Sequence, residues 1–139
     1  AAVCLHQVQS RHALRVALEP GASLPLHAGA LSKVLLAYAP AEILDEVLHQ
    51  GLQPLTAATP DETQLRSDLE GILATGLARS EGEAISGSVS IAVPILRADG
   101  ILAAMGVVAP VGRASLAWRT RVAHLLQQAA SAVGGAVGS

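Results

Sequence analysis

Apolar and polar residues alternate with a period of about two at both ends of the β-like regions, and with a period of about 3.6 in between. Val3 to Val8 and Ala13 to Leu18 read as two strands joined by a polar turn. In the second, Leu14, Val16 and Leu18 alternate with Ala13, Arg15 and Ala17, the pattern of a half-buried strand, and Pro20-Gly21 ends it as turn punctuation. Helical spacing then takes over. Over Ala28 to Ala39, Leu31, Val34, Leu35 and Tyr38 share one face. Pro40 suits the first position of a second helix, with Glu42 in its first turn, Ile43, Leu44, Val47 and Leu48 as its apolar stripe, and Gly51 as its stop. Thr59-Pro60-Asp61-Glu62 predicts a third helix start: Thr59 caps, Pro60 takes the first helical position and Glu62 completes a capping box. Leu65, Leu69, Ile72 and Leu73 form its buried face, and Gly76 ends it.

The period returns to two over Leu77 to Glu83 and over Val89 to Arg97, with a Gly- and Ser-containing loop between them. Ala98-Asp99-Gly100 predicts a hairpin turn, because Asp-Gly tolerates the positive φ of tight hairpins, and Ile101 to Ala109 is the returning strand. A last helix starts near Ser115, with Leu116, Val122, Leu125, Leu126, Ala129 and Val133 facing inward and an Ala/Gly-rich end expected to fray. The order ββαααβββα, with strands in two groups, predicts an α+β fold with one antiparallel sheet covered by helices.

The 139 residues fit one domain, and about half are hydrophobic, so a sizeable core is available. With no Phe, and Tyr38 and Trp118 as the aromatics, that core is aliphatic. Nine of the eleven acids fall in residues 40–83, and Arg113, Arg119 and Arg121 follow with no acid beyond residue 100. With a pI near 6.2 and no basic stripe, this chain alone is not expected to bind DNA. A lone Cys4 allows no internal disulfide, and the longest apolar run, Ile101 to Pro110, is too short to span a bilayer. No signal-peptide pattern is evident, so the expectation is a cytoplasmic protein with no membrane partner. The chain opens at Ala1 directly in strand-like sequence, which suggests a piece of a longer protein.

Chemistry is sparse. His6, His12, His27, His49 and His124 have no zinc spacing, and Cys4 has no Cys partner, so neither a metal nor another cofactor is expected. There is no Gly-x-Ser-x-Gly elbow and no phosphate-binding glycine loop. Cys4 with His6, and Glu81 with Glu83, share strand faces. The first pair reads as a core cysteine beside an ordinary histidine, and the second as solvated edge charge. No catalytic residue is assigned. Small residues, namely Gly29, Gly87, Ser88, Ser90, Ala103, Ala104 and Gly106, gather around the strands and the first helix. They leave room either for close helix–sheet packing or for a ligand.

Several segments in register resemble one family. Leu24-Pro25-Leu26-His27-Ala28 with Ala30-Leu31-Ser32-Lys33 is similar to the proline-leucine-histidine and glycine-lysine motif of the IclR-family C-terminal domain, with Ser32 in place of the glycine. Gly51-Leu52 with Thr56 and Thr59, the helix ending at Gly76-Leu77, then Glu83, Gly87, Ser90 to Ile95 and Asp99-Gly100 resemble further family segments. The resemblance spans roughly residues 3–133. It implies a GAF-like curved antiparallel sheet flanked by helices, and residues 1–139 as one effector-binding domain. It also implies a winged helix-turn-helix domain outside this chain that would carry all DNA contact, and a homodimer or homotetramer.

It implies as well a small-molecule effector, an organic acid or an aromatic or apolar metabolite. By the same resemblance, the ligand would lie among Ala28, Gly29, Ala30, Leu31, Ser80, Val89, Ser90, Gly106 and Val108. Backbone N–H groups at the start of the Ala28 helix would meet an anion, Ser90 would add a hydroxyl, and Gly106 and Val108 would widen and dry the site. The alternatives are a pure oligomerisation module, or an enzyme acting on a small molecule.

Overall fold

The computed structural model describes residues 2–7 and 20–138. The expected strand Ala13 to Leu18 lies outside the described residues. Of Val3 to Val8, a short strand β1 covers Ala2–Val3. It pairs antiparallel with β2 (Ser23–Leu24), a strand that the hydrophobic pattern does not reveal. Backbone bonds from Cys4 N to the Ala22 carbonyl (3.0 Å) and from Gly21 N to the Cys4 carbonyl (2.7 Å) extend the pairing.

Helices α1 (Ala30–Tyr38), α2 (Ala41–Gln50) and α3 (Glu62–Thr75) follow. Pro40 is the N-cap of α2 and not its first helical residue. The start of α3 is also displaced. Asp61 is the N-cap, and its carboxylate accepts the Gln64 N–H at 2.9 Å. Thr59 is already committed. Its hydroxyl accepts from the Leu55 and Thr56 N–H groups (both 3.0 Å) and donates to the Glu83 carbonyl at 2.7 Å. Glu62, freed from any capping box, pairs with Arg66 at 3.1 Å. Leu65, Leu69 and Ile72 are buried as expected, but Leu73 is 55% exposed, because it lies one step past the stripe that meets α1. Gly76, in the left-handed region at φ 70°, closes α3 with its N–H on the Ile72 carbonyl at 2.7 Å.

Three strands, β3 (Ala78–Glu81), β4 (Ser88–Arg97) and β5 (Gly100–Pro110), form an antiparallel sheet in the order β3-β4-β5. The fold is α+β, with helices on both faces of this sheet. In the β4–β5 hairpin the central pair is Ala98-Asp99. The positive φ falls on Gly100, the first residue of β5, and not within the turn as Asp-Gly suggested. A register shift beyond Ile95 sets Leu96 opposite Ile101.

Alternation sorts the sheet into two cores. Ala78, Ala92 and Ala104 pack with Ala30, Val34, Leu65, Leu69 and Ile72 under α1 and α3. Ile91, Val93, Ile95, Met105 and Val107 pack against α4 (Leu116–Gly138), whose first turn is capped by the Ser115 hydroxyl on the Trp118 N–H. The inward face of α4 is rotated from the expected one. Ala123, Leu126 and Ala130 are buried, whereas Leu116, Leu125, Ala129 and Val133 are exposed. Close approach is the reason: a Cβ on Gly134 would fall 2.9 Å from the Leu96 carbonyl oxygen, so small residues face the sheet and larger ones are pushed to the side. The Ala/Gly-rich end, expected to fray, is helical to Gly138. Among the described residues, no helix is long and apolar enough to cross a membrane.

Candidate functional site

Strand register gathers most of the expected ligand-binding residues on the α1 side of the sheet. Ser80 pairs with Ser90, and Ser90 with Val108; in the next row Ala78 pairs with Ala92, and Ala92 with Gly106. The first turn of α1 lies over these rows. Ala28 and Ala30 are buried there, and Gly29 takes φ 90° and ψ 153°, a conformation in which glycine is favoured. Val89 is separated from the rest: it sits between Ser88 and Ser90 on β4 and so faces the α4 side.

The start of α1 does not offer all its N–H groups to a ligand. The Gly29 N–H donates to Glu83 Oε1 at 3.2 Å, and the Ala30 N–H to Ser90 Oγ at 3.1 Å. Room over Gly106 is also partly filled, because a Cβ there would meet Leu31 Cδ2 at 3.0 Å and the Ile91 carbonyl at 2.8 Å. Gly106 therefore lets Leu31 settle onto the sheet. By contrast, the Ser80 hydroxyl makes no hydrogen bond among the described residues.

Glu83 belongs to a network that the sequence did not announce. Lys33, the single lysine of the chain, has a side chain only 2% exposed, and its Nζ lies 2.9 Å from both Glu83 Oε2 and Asp68 Oδ2. Gln64 Nε2 donates to the other Asp68 oxygen at 2.7 Å. The Thr56 hydroxyl donates to the Gly82 carbonyl, as Thr59 does to that of Glu83. Thus α1, α3, the loop after Gly51 and the β3–β4 loop are tied at one point. His27, buried at the entrance to α1, adds a bond of 2.8 Å between its Nε2 and the Gln53 carbonyl.

The expected solvated pair of Glu81 and Glu83 is split. Strand β3 ends at Glu81, Gly82 turns the chain at φ 67°, and Glu83 turns inward while Glu81 stays exposed beside Arg119. A signal for Asp68 was present, since it is an acid between the core positions Leu65 and Leu69, but its partner is 35 residues away. Cys4 is half-buried, with its Sγ 3.7 Å from the His6 carbonyl. Among the described residues, no group of three or more His, Cys, Asp or Glu is placed to hold a metal.

Comparison with known proteins adds a sequence match and a set of solved structures. The profile of the bacterial transcriptional regulator IclR C-terminal family matches residues 1–134. No curated protein matches. An IclR transcriptional regulator from Silicibacter sp. TM1040 superposes with a TM-score of 0.87 at 30% identity, covering 94% of this chain and 52% of its own. The inducer-binding domain of a PobR double mutant from Acinetobacter, in complex with 3-hydroxybenzoic acid, gives 0.76 at 30% identity over 84% of this chain and 69% of its own. An IclR homologue from Microbacterium hydrocarbonoxydans, complexed with 4-hydroxybenzoate, gives 0.77 at 29% identity, with coverages of 89% and 50%. The chain spans about half the length of the regulators it matches in Silicibacter and Microbacterium.

Proposed function

The chain belongs to the IclR family of bacterial transcriptional regulators, matching its C-terminal region, and from that premise we propose that it senses a small-molecule effector on the α1 side of its sheet. One observation carries the reading. Ser80, Ser90, Gly106 and Val108 lie in adjoining register beneath the first turn of α1, where small side chains and hydroxyls replace the branched apolar residues of the other face. The hydroxybenzoates held by the Acinetobacter and Microbacterium proteins support an aromatic acid, with its carboxylate as one polar end. That end would meet the Ser80 hydroxyl. Gly29 and Ala30 serve as the wall of the site, their N–H groups already held by Glu83 and Ser90.

The domain is then a regulatory module and not an enzyme. Operator binding belongs to a DNA-binding domain N-terminal to residues 1–139, in a cytoplasmic homodimer or homotetramer. Effector binding shifts the population of DNA-competent assemblies through its different affinity for the two states.

Thermal unfolding with a panel of hydroxybenzoates, aliphatic acids and small keto and hydroxy acids tests this. A true effector raises the melting temperature in a concentration-dependent way, by mass action. In the Ser80→Val variant the same compound should lose about tenfold in affinity, the worth of one hydrogen bond to a charged or polar ligand. Absence of any hit would favour a pure oligomerisation module, and turnover of a hit would favour an enzyme.

A further inference from the structure

The α4 side of the sheet holds a cleft of about 170 Å³ at the β3 edge, beside the first turns of α4. Its floor is apolar: Val89 and Ile91, both buried. Its walls are charged. Arg79 stands on β3 in register with Ile91, and Glu81 follows in register with Val89. Arg119 comes from the first turns of α4. Its Nε is fixed on the Ala114 carbonyl at 2.9 Å, and its Nη1 makes a long 3.4 Å contact with Glu81 Oε2. Arg79 makes no ion pair or hydrogen bond among the described residues. Ser80 and Glu83 also line the cleft, where it meets the α1 side, and both carboxylate oxygens of Glu83 are engaged with Lys33 and the Gly29 N–H.

We propose that this cleft is a second ligand site, adjoining the α1 side at Ser80, which takes a small carboxylate carrying a compact apolar group. Two guanidinium groups flank the apolar floor, and guanidinium is the side chain best matched to a carboxylate. One guanidinium is held in place and the other has no partner to give up. The volume equals about six water molecules at about 30 Å³ each, enough for a carboxylate with a small hydrocarbon body. Glu81 is the resident competitor. Its side chain is 59% exposed and its hold on Arg119 is long, so an incoming carboxylate displaces it readily.

Benzoate is the probe, followed by the methyl NMR signals of Val89, Ile91 and, on the other face, Leu31. The expected result is a saturable shift at Val89 and Ile91. Arg79→Ala, a change at an exposed and unpartnered side chain, should weaken that binding about tenfold, while any response at Leu31 keeps its affinity. Glu81→Gln should tighten it, because the competing charge is gone. Melting temperatures of both variants close to that of the parent chain keep the comparison free of folding effects. Unchanged affinity in Arg79→Ala would overturn the proposal, as would shifts that chloride and acetate reproduce at equal ionic strength. Shifts at Val89 and Ile91 that follow protein concentration without benzoate would also overturn it, by showing that a carboxylate of a second copy fills the cleft.

Discussion

Toward α4, strand β4 presents Val89, Ile91, Val93 and Ile95; toward α1, the intervening residues are Ser88, Ser90, Ala92 and Pro94. The same backbone thus builds two surfaces of different character. The α4 side is filled by branched aliphatics, Met105 and the small residues of α4, and most of it has no task but packing. The α1 side gives up apolar volume for hydroxyls, a glycine and a buried ion network, each of which contributes less to folding than a methyl-filled core does. Where a strand could have been apolar on both faces and is not, the polar face points to a role other than stability.

The contrast is sharpest at Ile91, which is fully buried. Ile91→Ala should cost about 4 kcal/mol, because it removes three carbons from a packed site that cannot fully collapse. Urea denaturation measures the loss, and effector affinity at the α1 side should hardly change in the folded fraction. A loss of affinity as large as the loss of stability would mean that the two faces are not independent.

Lys33 is the corresponding test on the other face. Lys33→Met keeps the length of the side chain but leaves Glu83 and Asp68 with an unbalanced charge, 13% and 22% exposed. Removal of one partner of a buried pair costs about 3 kcal/mol, and partial exposure of the carboxylates keeps this at the lower end of the usual range. Because Glu83 also holds the Gly29 N–H, effector affinity should fall together with stability, unlike in Ile91→Ala. If affinity were retained, the network would be scaffolding only.

How far the sequence foretells these two faces depends on the range of the interaction. Alternation along β4 and β5 set the faces, because it is a local pattern, whereas the first turn of α1 was pointed to as a proposed site wall only by the resemblance of Leu24 to Lys33 to a family motif. Leu31 over Gly106 and Lys33 between Asp68 and Glu83 are contacts between distant segments, and periodicity says which face a residue takes but not what it meets there. The cap of α3 shows the same limit. Thr59 and Asp61 are both good capping residues, and the choice was made by the Leu55 and Thr56 N–H groups, which occupy the Thr59 hydroxyl oxygen as acceptor. On α4 the apolar residues are too many for one face, so the phase was set by the closeness of β4 at Gly134.

Ser32 gives the smallest effect and the finest test. It is buried, and its hydroxyl has no hydrogen-bond partner among the described residues, at a position where the family motif that the segment resembles has glycine. A buried hydroxyl without a partner has lost its water and gained nothing in return. Ser32→Ala should therefore stabilise the ligand-free domain, by up to about 1 kcal/mol, with helix propensity at this position adding in the same direction. Denaturant midpoints of the two chains measure the difference. A lower midpoint in the variant would show that the hydroxyl is satisfied in solution, by a bound water for instance. If the midpoint rises as expected and effector affinity falls, the Ser32 hydroxyl is one of the polar groups that serve the ligand.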